Sequence, residues 1–389
     1  MKIVIYSNIL NIHQVPVADE FYKLLGDDFC FVSTRPCDKK MLKGGEDYTT
    51  RPYCIRATEN YSAHKEAIRL ACEAEVCVFG ACSQEYAVER AIRCPQKLSF
   101  EMGERWFKHG WLTIGSPVFR RWLINYYRYY RKANFYKLCC SSYAAGDDER
   151  IHAYKGRHYK WGYFTQVKKN FIQTSALDIS TKTKVRILWC ARFLSLKHPE
   201  LTVELAARLK KDGYNFAIHM YGDDGQQTKH EKVYPRKKLE RLIKDRCVND
   251  VVTLMGNLSN PEILEAMLNG DIFLFTSDRL EGWGAVANES MANGCVLVAS
   301  DAIGSTRYLV TDKETGMVFK SQDIDSLYKS VKFLIDNPVE RERIANVGRQ
   351  TIAELWNPEN AAKSLLQLIE DLSAGMETSI KNGPCSVAN

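Results

Sequence analysis

Short apolar runs typical of buried strands alternate with helical patterns along most of the chain, and this alternation constrains the fold more than any other feature. Strands that alternate with helices form parallel sheets that are covered on both faces. The alternation runs through 1–165, is lost in the polar segment 166–184, and starts again at 185. The sequence therefore predicts an α/β protein of two Rossmann-like domains, each built on a parallel sheet.

The expected domain boundaries follow from where this periodicity stops. We place an N-terminal domain at 1–165, a linker at 166–184 and a C-terminal domain at 185–357. A last helix is predicted at 358–372, with the option that it packs back on the N-terminal domain. The tail 373–389 has no pattern and is predicted to be disordered. The two sheets would face a cleft between the domains, where small-molecule sites concentrate.

Composition limits the class of protein. A chain of 389 residues with 45% hydrophobic and 26% charged residues has the profile of a soluble protein with two domains. No apolar run is long enough to span a bilayer, and the N-terminal sequence turns polar too early for a signal peptide, so we expect a cytoplasmic protein. The thirteen cysteines include no C-x-x-C pair and are expected to be reduced core residues rather than metal ligands.

The stretch 271–319 combines a strand, a glycine-broken turn, a helix that starts at the turn, and a second strand. Such a unit places free backbone N–H groups and a helix N-terminus at the carboxyl edge of a sheet, where a diphosphate binds well. Glu281 and Glu289 bracket the start of the helix, and Gly282 and Gly284 allow a ligand to approach the backbone closely. Carboxylates near a helix start are also common on ordinary surfaces, so the pair alone decides nothing.

Two cations, Arg192 and Lys197, follow the strand predicted at 185–191. Because the carboxyl ends of parallel strands meet at one edge of a sheet, we expect both cations near the turn that contains Glu281. Two cations there would clamp a diphosphate and neutralise the charge that develops on a leaving nucleoside diphosphate. Each cation taken alone is also compatible with a solvated surface position.

Together these residues resemble the nucleotide-sugar half of retaining glycosyltransferases of the GT-B fold, glycosyltransferase family 4. The resemblance covers most of 185–319. The N-terminal half is similar, more loosely, to the acceptor domain of bacterial members that build surface polysaccharides. The segments that carry the resemblance are A-R-F-L-S-L-K at 191–197, G-N-L at 256–258, the E-x7-E pair at 281 and 289, 301–306, N-I-H-Q at 11–14 and K-W-G-Y-F at 160–164.

The resemblance implies a role for each matched residue. Glu281 would hold the hydroxyls of the donor sugar, while Arg192 and Lys197 would bind the diphosphate. Glu289 would bind the ribose, and the base would lie near 256–258. Family members usually need no catalytic metal and no cofactor besides the donor. The implied nucleotide-sugar positions are Glu289, Gly282, Trp283, Gly284, Gly256, Asn257 and Leu258.

One departure from the family concerns the strand at 97–102, where many relatives end on a histidine and this chain continues F-E-M-G-E-R. Glu101 is the candidate for catalysis at this place. The alternative is that Glu101 is a buried carboxylate paired with Arg105. His13, in the loop after the first strand, has the same ambiguity between a catalytic and a structural role.

Basic and aromatic residues are mixed, without a single acidic residue, between Arg105 and Lys137. This mixture suits an interfacial helix on an anionic membrane. It also suits a helix that packs on the sheet and exposes a basic face. Nucleic acid is a weaker reading, because no nucleic-acid-binding module accompanies the segment.

The function predicted from the sequence is transfer of a sugar, with retention, from a nucleoside diphosphate sugar to a hydroxyl of a lipid-linked or oligosaccharide acceptor. The expected pathway is the synthesis of capsule, lipopolysaccharide or exopolysaccharide on the cytosolic face of the inner membrane. Two alternatives remain open. One is a sugar-nucleotide epimerase or a phosphorylase of the same fold, and the other is a non-catalytic nucleotide-sugar binder docked on membranes.

Overall fold

The computed structural model describes four parts of the chain, which are 1–37, 46–166, 184–224 and 232–389. The chain divides into a first unit, Met1–Gln166 with Leu355–Asn389, and a second unit, Val167–Glu354. The predicted linker lies almost wholly within 167–183, outside the described residues.

The described residues of the first unit build a parallel sheet in the order β3-β2-β1-β4-β5-β6-β7. Its central strands are buried on both faces, which is why they are continuous apolar runs in the sequence. The strands are β1 (Ile3–Ser7), β2 (Phe29–Ser33), β3 (Cys54–Arg56), β4 (Val76–Phe79), β5 (Ser99–Gly103), β6 (Phe135–Cys139) and β7 (His158–Lys160).

Helices cover this sheet. Their starts follow local rules: Ser116 caps the fourth helix by accepting a hydrogen bond from the backbone N–H of Phe119, and Pro117 occupies the first helical position. A 3-10 segment, Phe107–Gly115, precedes that helix. The helices are α1 (Val15–Leu25), α2 (Tyr61–Glu73), α3 (Gln84–Arg93), α4 (Pro117–Arg128) and α5 (Ala144–Glu149).

The second unit contains a parallel sheet in the order β10-β9-β8-β11-β12-β13 among its described residues. Consecutive elements alternate between strand and helix, as expected for parallel pairing. The strands are β8 (Val185–Cys190), β9 (Phe216–Tyr221), β10 (Val252–Gly256), β11 (Ile272–Phe275), β12 (Val296–Ser300) and β13 (Met317–Phe319). The helices are α6 (Pro199–Lys211), α7 (Arg236–Asp245), α8 (Asn260–Leu268), α9 (Val286–Ala292), α10 (Thr306–Leu309), α11 (Ile324–Asp336) and α12 (Pro338–Glu354).

The last helix, α13 (Pro358–Ser373), belongs to the first unit and contacts α1. The prediction that the following tail is disordered is wrong. The backbone of Lys160 in β7 donates to the carbonyl of Ser386 at 2.8 Å and accepts from the N–H of Cys385 at 2.7 Å. Cys385 and Ala388 are buried. The tail is ordered because β7 is an edge strand whose backbone groups need a partner, which the tail supplies without any sequence periodicity.

Each sheet has a switch point, where connections from two neighbouring strands leave toward opposite sides. The switch lies between β1 and β4 in the first sheet and between β8 and β11 in the second. In open α/β sheets, ligands bind beyond the carboxyl ends of the strands at this point. The predicted α/β architecture with two parallel sheets is confirmed, and its switch points indicate where candidate sites lie.

Candidate functional site

Lys197 and Glu281 form an ion pair at the switch point of the second sheet, Lys197 on the loop after β8 and Glu281 on the loop after β11. Ser277 donates its hydroxyl hydrogen bond to the same oxygen of Glu281 at 3.0 Å. Both charged side chains are largely buried. The structure therefore brings together two of the residues that the sequence singled out.

The two loops are fixed to each other by further hydrogen bonds. Thr276 donates from its hydroxyl to the carbonyl of Lys197 at 2.5 Å, and the indole of Trp189 donates to the Thr276 hydroxyl at 2.9 Å. The backbone N–H of Asp278 donates to the carbonyl of Leu196 at 2.9 Å. These bonds hold the Lys197–Glu281 pair on a rigid support, which favours a binding role over a solvated surface role.

His198, which the sequence analysis missed, follows Lys197 on the same loop. Its imidazole lies between two carboxylates. Its Nε2 lies 3.2 Å from Asp278 Oδ2, and its Nδ1 lies 2.8 Å from Glu200 Oε1. Burial alone would lower the pKa of the imidazole, but the hydrogen bonds and charges of Asp278 and Glu200 raise it to about 9. His198 is therefore an imidazolium at neutral pH. The available signal was its position directly after Lys197.

The turn after β11 is irregular, and α9 starts at Val286 rather than at the turn as the sequence suggested. Gly284 has φ +78°, and an added Cβ would lie 2.2 Å from the Phe275 ring, so only glycine fits there. The Trp283 indole is buried and donates to Asn288 Oδ1 at 2.7 Å. Any contact of Trp283 with a ligand therefore comes from its backbone, while Gly282 and Gly284 leave that backbone approachable.

Glu289 lies in α9. Both Glu289 and Lys197 lie close to Cys190 at the end of β8. Burial raises the pKa of the Glu289 carboxyl, and a hydrogen bond from Asn260 opposes that rise. Burial also raises the pKa of the Cys190 thiol to about 12, with the charge of Glu289 adding to the rise and that of Lys197 opposing it. Glu289 and Lys197 are thus both close enough to Cys190 to act on it electrostatically.

Arg192 and the segment 256–258 are further nucleotide-sugar positions that the resemblance implies. Arg192 is exposed two residues beyond β8, on the same loop as Lys197. Gly256 ends the edge strand β10 with φ +78°, and Asn257 and Leu258 are exposed behind it. β9 lies between β10 and β8, so the segment 256–258 is two strands away from the ion pair.

The first unit has a cavity of about 630 Å³ at its own switch point. Loops after β1, β4 and β5 line it, and both His13 and Glu101 are among its lining residues. The His13 ring stacks on Tyr163 with centroids 6.1 Å apart, and Tyr163 donates to Glu104 Oε1 at 3.1 Å. The cavity therefore unites the two residues proposed for catalysis in the N-terminal domain.

Glu101 is ion-paired with Lys137, so the pairing with Arg105 that was the structural alternative is wrong. Lys137 Nζ donates to Glu101 Oε1 at 2.7 Å, while Trp122 Nε1 and Tyr154 Oη donate to Oε2 at 2.8 and 2.7 Å. Arg105 instead makes two hydrogen bonds of 3.1 Å to Asp147. Glu101 Oε2 thus has two donors and Oε1 has one, which leaves Oε1 better able to accept from a ligand.

The structure separates the aromatic from the basic residues of the segment between Arg105 and Lys137. Six of the eleven aromatic side chains are buried, and of these eleven only Trp111 and Tyr127 are exposed. The interpretation of the aromatics as an interfacial face is therefore wrong for most of them, because they pack on the sheet. The buried six are Phe107, Phe119, Trp122, Tyr126, Tyr130 and Phe135.

Within the described ranges, no three His, Cys, Asp or Glu side chains come together as a metal-ion site. The described helices also include none that is long and apolar enough to cross a membrane.

Comparison with known protein families gives a match that lies within the second unit. Residues 176–351 match the family described as glycosyl transferases group 1. The chain is 30% identical over 190 residues, 49% of its own length and 44% of the relative, to alpha-D-kanosaminyltransferase of Streptomyces kanamyceticus. It is 26% identical over 201 residues, 52% of its own length and 50% of the relative, to N-acetylgalactosamine-N,N'-diacetylbacillosaminyl-diphospho-undecaprenol 4-alpha-N-acetylgalactosaminyltransferase of Campylobacter jejuni. The matches thus span half or less of these curated relatives.

Among solved structures, Anabaena HepE in complex with UDP and glucose resembles this chain over 96% of this chain and 100% of HepE. The TM-score is 0.64 at 15% sequence identity, which is a likeness of fold. The second unit is thus similar to the glycosyl transferases group 1 family over 176–351, and the chain has the GT-B fold.

Proposed function

We propose that the chain is a retaining glycosyltransferase that moves a sugar from a nucleoside diphosphate sugar to a hydroxyl of a lipid-linked or oligosaccharide acceptor. The observation that carries this proposal is the Lys197–Glu281 pair at the switch point between β8 and β11. A cation at this place binds a diphosphate, and a carboxylate beside it accepts hydrogen bonds from sugar hydroxyls. An ordinary surface ion pair does not lie at a switch point between loops that hydrogen bonds hold together.

The residues around the pair take roles that follow from their chemistry. Lys197 and Arg192 bind the diphosphate and stabilise the charge that develops as it leaves, which lowers the barrier of an oxocarbenium-like transition state. Glu281 and the backbone of 282–284 bind the sugar, and Glu289 binds the ribose. The base lies toward 256–258. In the first unit, Glu101 and His13 are the candidates for contact with the acceptor.

Two relatives support the substrate classes. The Campylobacter jejuni relative is named for an acceptor linked to diphospho-undecaprenol, and HepE was solved with UDP and glucose. For this chain, they favour a nucleotide-sugar donor and an acceptor in the synthesis of surface polysaccharide, either capsule, lipopolysaccharide or exopolysaccharide. The place of action is then the cytosolic face of the inner membrane. No metal is needed in this scheme, so turnover should survive EDTA.

The donor site is tested by thermal-shift measurements with UDP-, GDP-, ADP- and CMP-sugars, since a ligand of the folded state raises the melting temperature. With the responding nucleotide, Lys197→Gln should weaken binding roughly 10- to 100-fold, the value of one charge-assisted hydrogen bond. Lys211→Gln, at the exposed end of α6, is the matched control and should bind as the parent does. If none of the sugar nucleotides raises the melting temperature, the proposal is wrong.

Product analysis separates transfer from its alternatives. A transferase releases nucleoside diphosphate in quantity only when an acceptor is present, and NMR of the new anomeric centre should report retention. An epimerase changes the sugar without an acceptor, and a phosphorylase consumes inorganic phosphate. Binding of a sugar nucleotide without turnover across a panel of acceptors would identify a non-catalytic binder.

A further inference from the structure

Side chains that line the cavity of the first unit range from fully buried to strongly exposed. Phe79, Trp122 and Phe135 are buried lining residues, whereas Val118 lines the same cavity and is 64% exposed. The cavity wall therefore reaches the molecular surface at Val118, at the start of α4.

Val118 is also part of an exposed apolar surface, which we call the apolar patch and define as Trp111, Leu112, Ile114 and Val118. Trp111 is 62% exposed and Leu112 is 84% exposed. Single exposed apolar residues are normal, but four within eight positions mark a surface that meets an apolar partner. The patch is continuous with the cavity wall because Val118 belongs to both.

Five exposed cations follow the apolar patch in the sequence, and we call them the basic patch. Within the described ranges, none of the five has a carboxylate within ion-pair distance. They lie along α4 and the turn after it, whereas the buried side of α4 carries Phe119, Trp122 and Tyr126. An apolar surface beside unpaired cations is complementary to an anionic bilayer. The five are Arg120, Arg121, Arg128, Arg131 and Lys132.

The cavity also holds polar groups that suit the head of an amphiphile. The Tyr130 hydroxyl and the Trp106 indole N–H are buried and have no hydrogen-bond partner within the described ranges, and both residues line the cavity. Glu101 Oε1 can accept a further hydrogen bond there. Buried polar atoms without partners are costly, so a ligand that supplies partners is favoured.

We propose that the cavity binds the polar head of an amphiphilic acceptor whose hydrocarbon chain leaves past Val118 into an anionic bilayer held by the apolar and basic patches. The inference rests on the proposed function, because it names the class of acceptor. It adds a route: the acceptor passes from the membrane into the cavity without crossing water.

Flotation of the whole chain with vesicles tests the surface. The parent should float with vesicles of phosphatidylcholine and phosphatidylglycerol but not of phosphatidylcholine alone, and salt should weaken the binding. Each neutralised cation should lower partitioning roughly fivefold, so Arg120→Gln/Arg121→Gln/Arg128→Gln should lower it roughly 100-fold. Equal flotation with both vesicles, or equal flotation of the triple variant and the parent, overturns the proposal.

The route past Val118 is tested with farnesyl phosphate as the probe, by calorimetry. Val118→Glu places a charge at the rim and should weaken binding at least tenfold. Because Val118 is 64% exposed, the variant should fold as the parent does, which a melting curve checks. Val339→Glu is the matched control, since Val339 is 73% exposed on α12 of the second unit, and it should bind as the parent does. Equal affinity of both variants, or no binding by the parent, overturns the route. Sugar-nucleotide binding by the parent, measured in parallel, reports separately on the proposed function.

Discussion

His198→Asn tests whether an imidazolium braces the candidate donor site. The imidazole lies between Asp278 and Glu200, with Lys197 and Glu281 as the neighbouring charges of the two loops. The backbone of His198 has φ 48° and ψ 54°, a left-handed conformation that asparagine tolerates better than most residues. The substitution therefore removes the charge and keeps the backbone.

The expected magnitude follows from the pKa of His198, which rises from 6.5 to about 9 in the folded protein. At 1.36 kcal/mol for each pH unit, the charged form contributes roughly 3 kcal/mol to the free energy of unfolding. Because the pKa is raised on folding, this contribution is complete below pH 6.5. It falls as the pH rises from there and is lost above about 9.

Urea unfolding of the parent and His198→Asn, followed by tryptophan fluorescence, measures the difference between them. We expect roughly 3 kcal/mol near pH 6, roughly 2 near pH 7.5 and almost none near pH 9.5. Ionisable groups that do not contact His198 cancel in this comparison because both proteins carry them in the same surroundings. A difference that is constant with pH, or that grows as the pH rises, would refute the assignment of a charged His198.

Three further changes test other parts of the structure. Gly222 has φ +132°, and a Cβ added there would lie 1.9 Å from the Ala191 carbonyl oxygen. Gly222→Ala should therefore destabilise the second unit by about 3 kcal/mol or more and lower its melting temperature by roughly 10 °C. An unchanged melting temperature contradicts this. Removal of 376–389 should lower the melting temperature of the first unit, since it exposes the edge of β7, and a tail that melts independently would show no effect. Glu101→Gln should lower the free energy of unfolding in urea by about 3–5 kcal/mol, because it leaves Lys137 buried without its counterion. The double variant Glu101→Gln/Lys137→Met should recover most of this loss, and equal losses in both variants argue against the pair.

The long buried strands could be predicted from the sequence, and the short ones could not. β3, β7 and β13 have three residues each, which is too few to establish a period of two. β6 (Phe135–Cys139) contains Lys137, which is buried in the sheet opposite Glu101. A lysine inside a buried strand interrupts the apolar run by which such strands are predicted.

The candidate site residues also include some contacts that the sequence could predict and others that it could not. Lys197 and Glu281 could be placed together because the carboxyl ends of parallel strands share one edge, a rule that needs no side-chain detail. The partner of Glu101 depends on register instead. Glu101 lies directly opposite Lys137 in β5 and β6, 36 positions away in sequence, whereas Arg105 is only near in sequence. Without an observed register, the sequence favours the neighbour along the chain.

In the proposed function, the Lys197–Glu281 pair allows one site to bind a diphosphate and to orient a sugar. Without a ligand, each charge neutralises the other, so neither is left buried and unpaired. In the proposed function, a diphosphate competes for Lys197, and Glu281 then recovers acceptor capacity while Ser277 still holds it in place. That capacity becomes available at the moment when sugar hydroxyls arrive with the diphosphate. The proposed function thus couples binding of the phosphates to orientation of the sugar through one ion pair, and it predicts that loss of Lys197 affects both events and loss of Glu281 mainly the sugar.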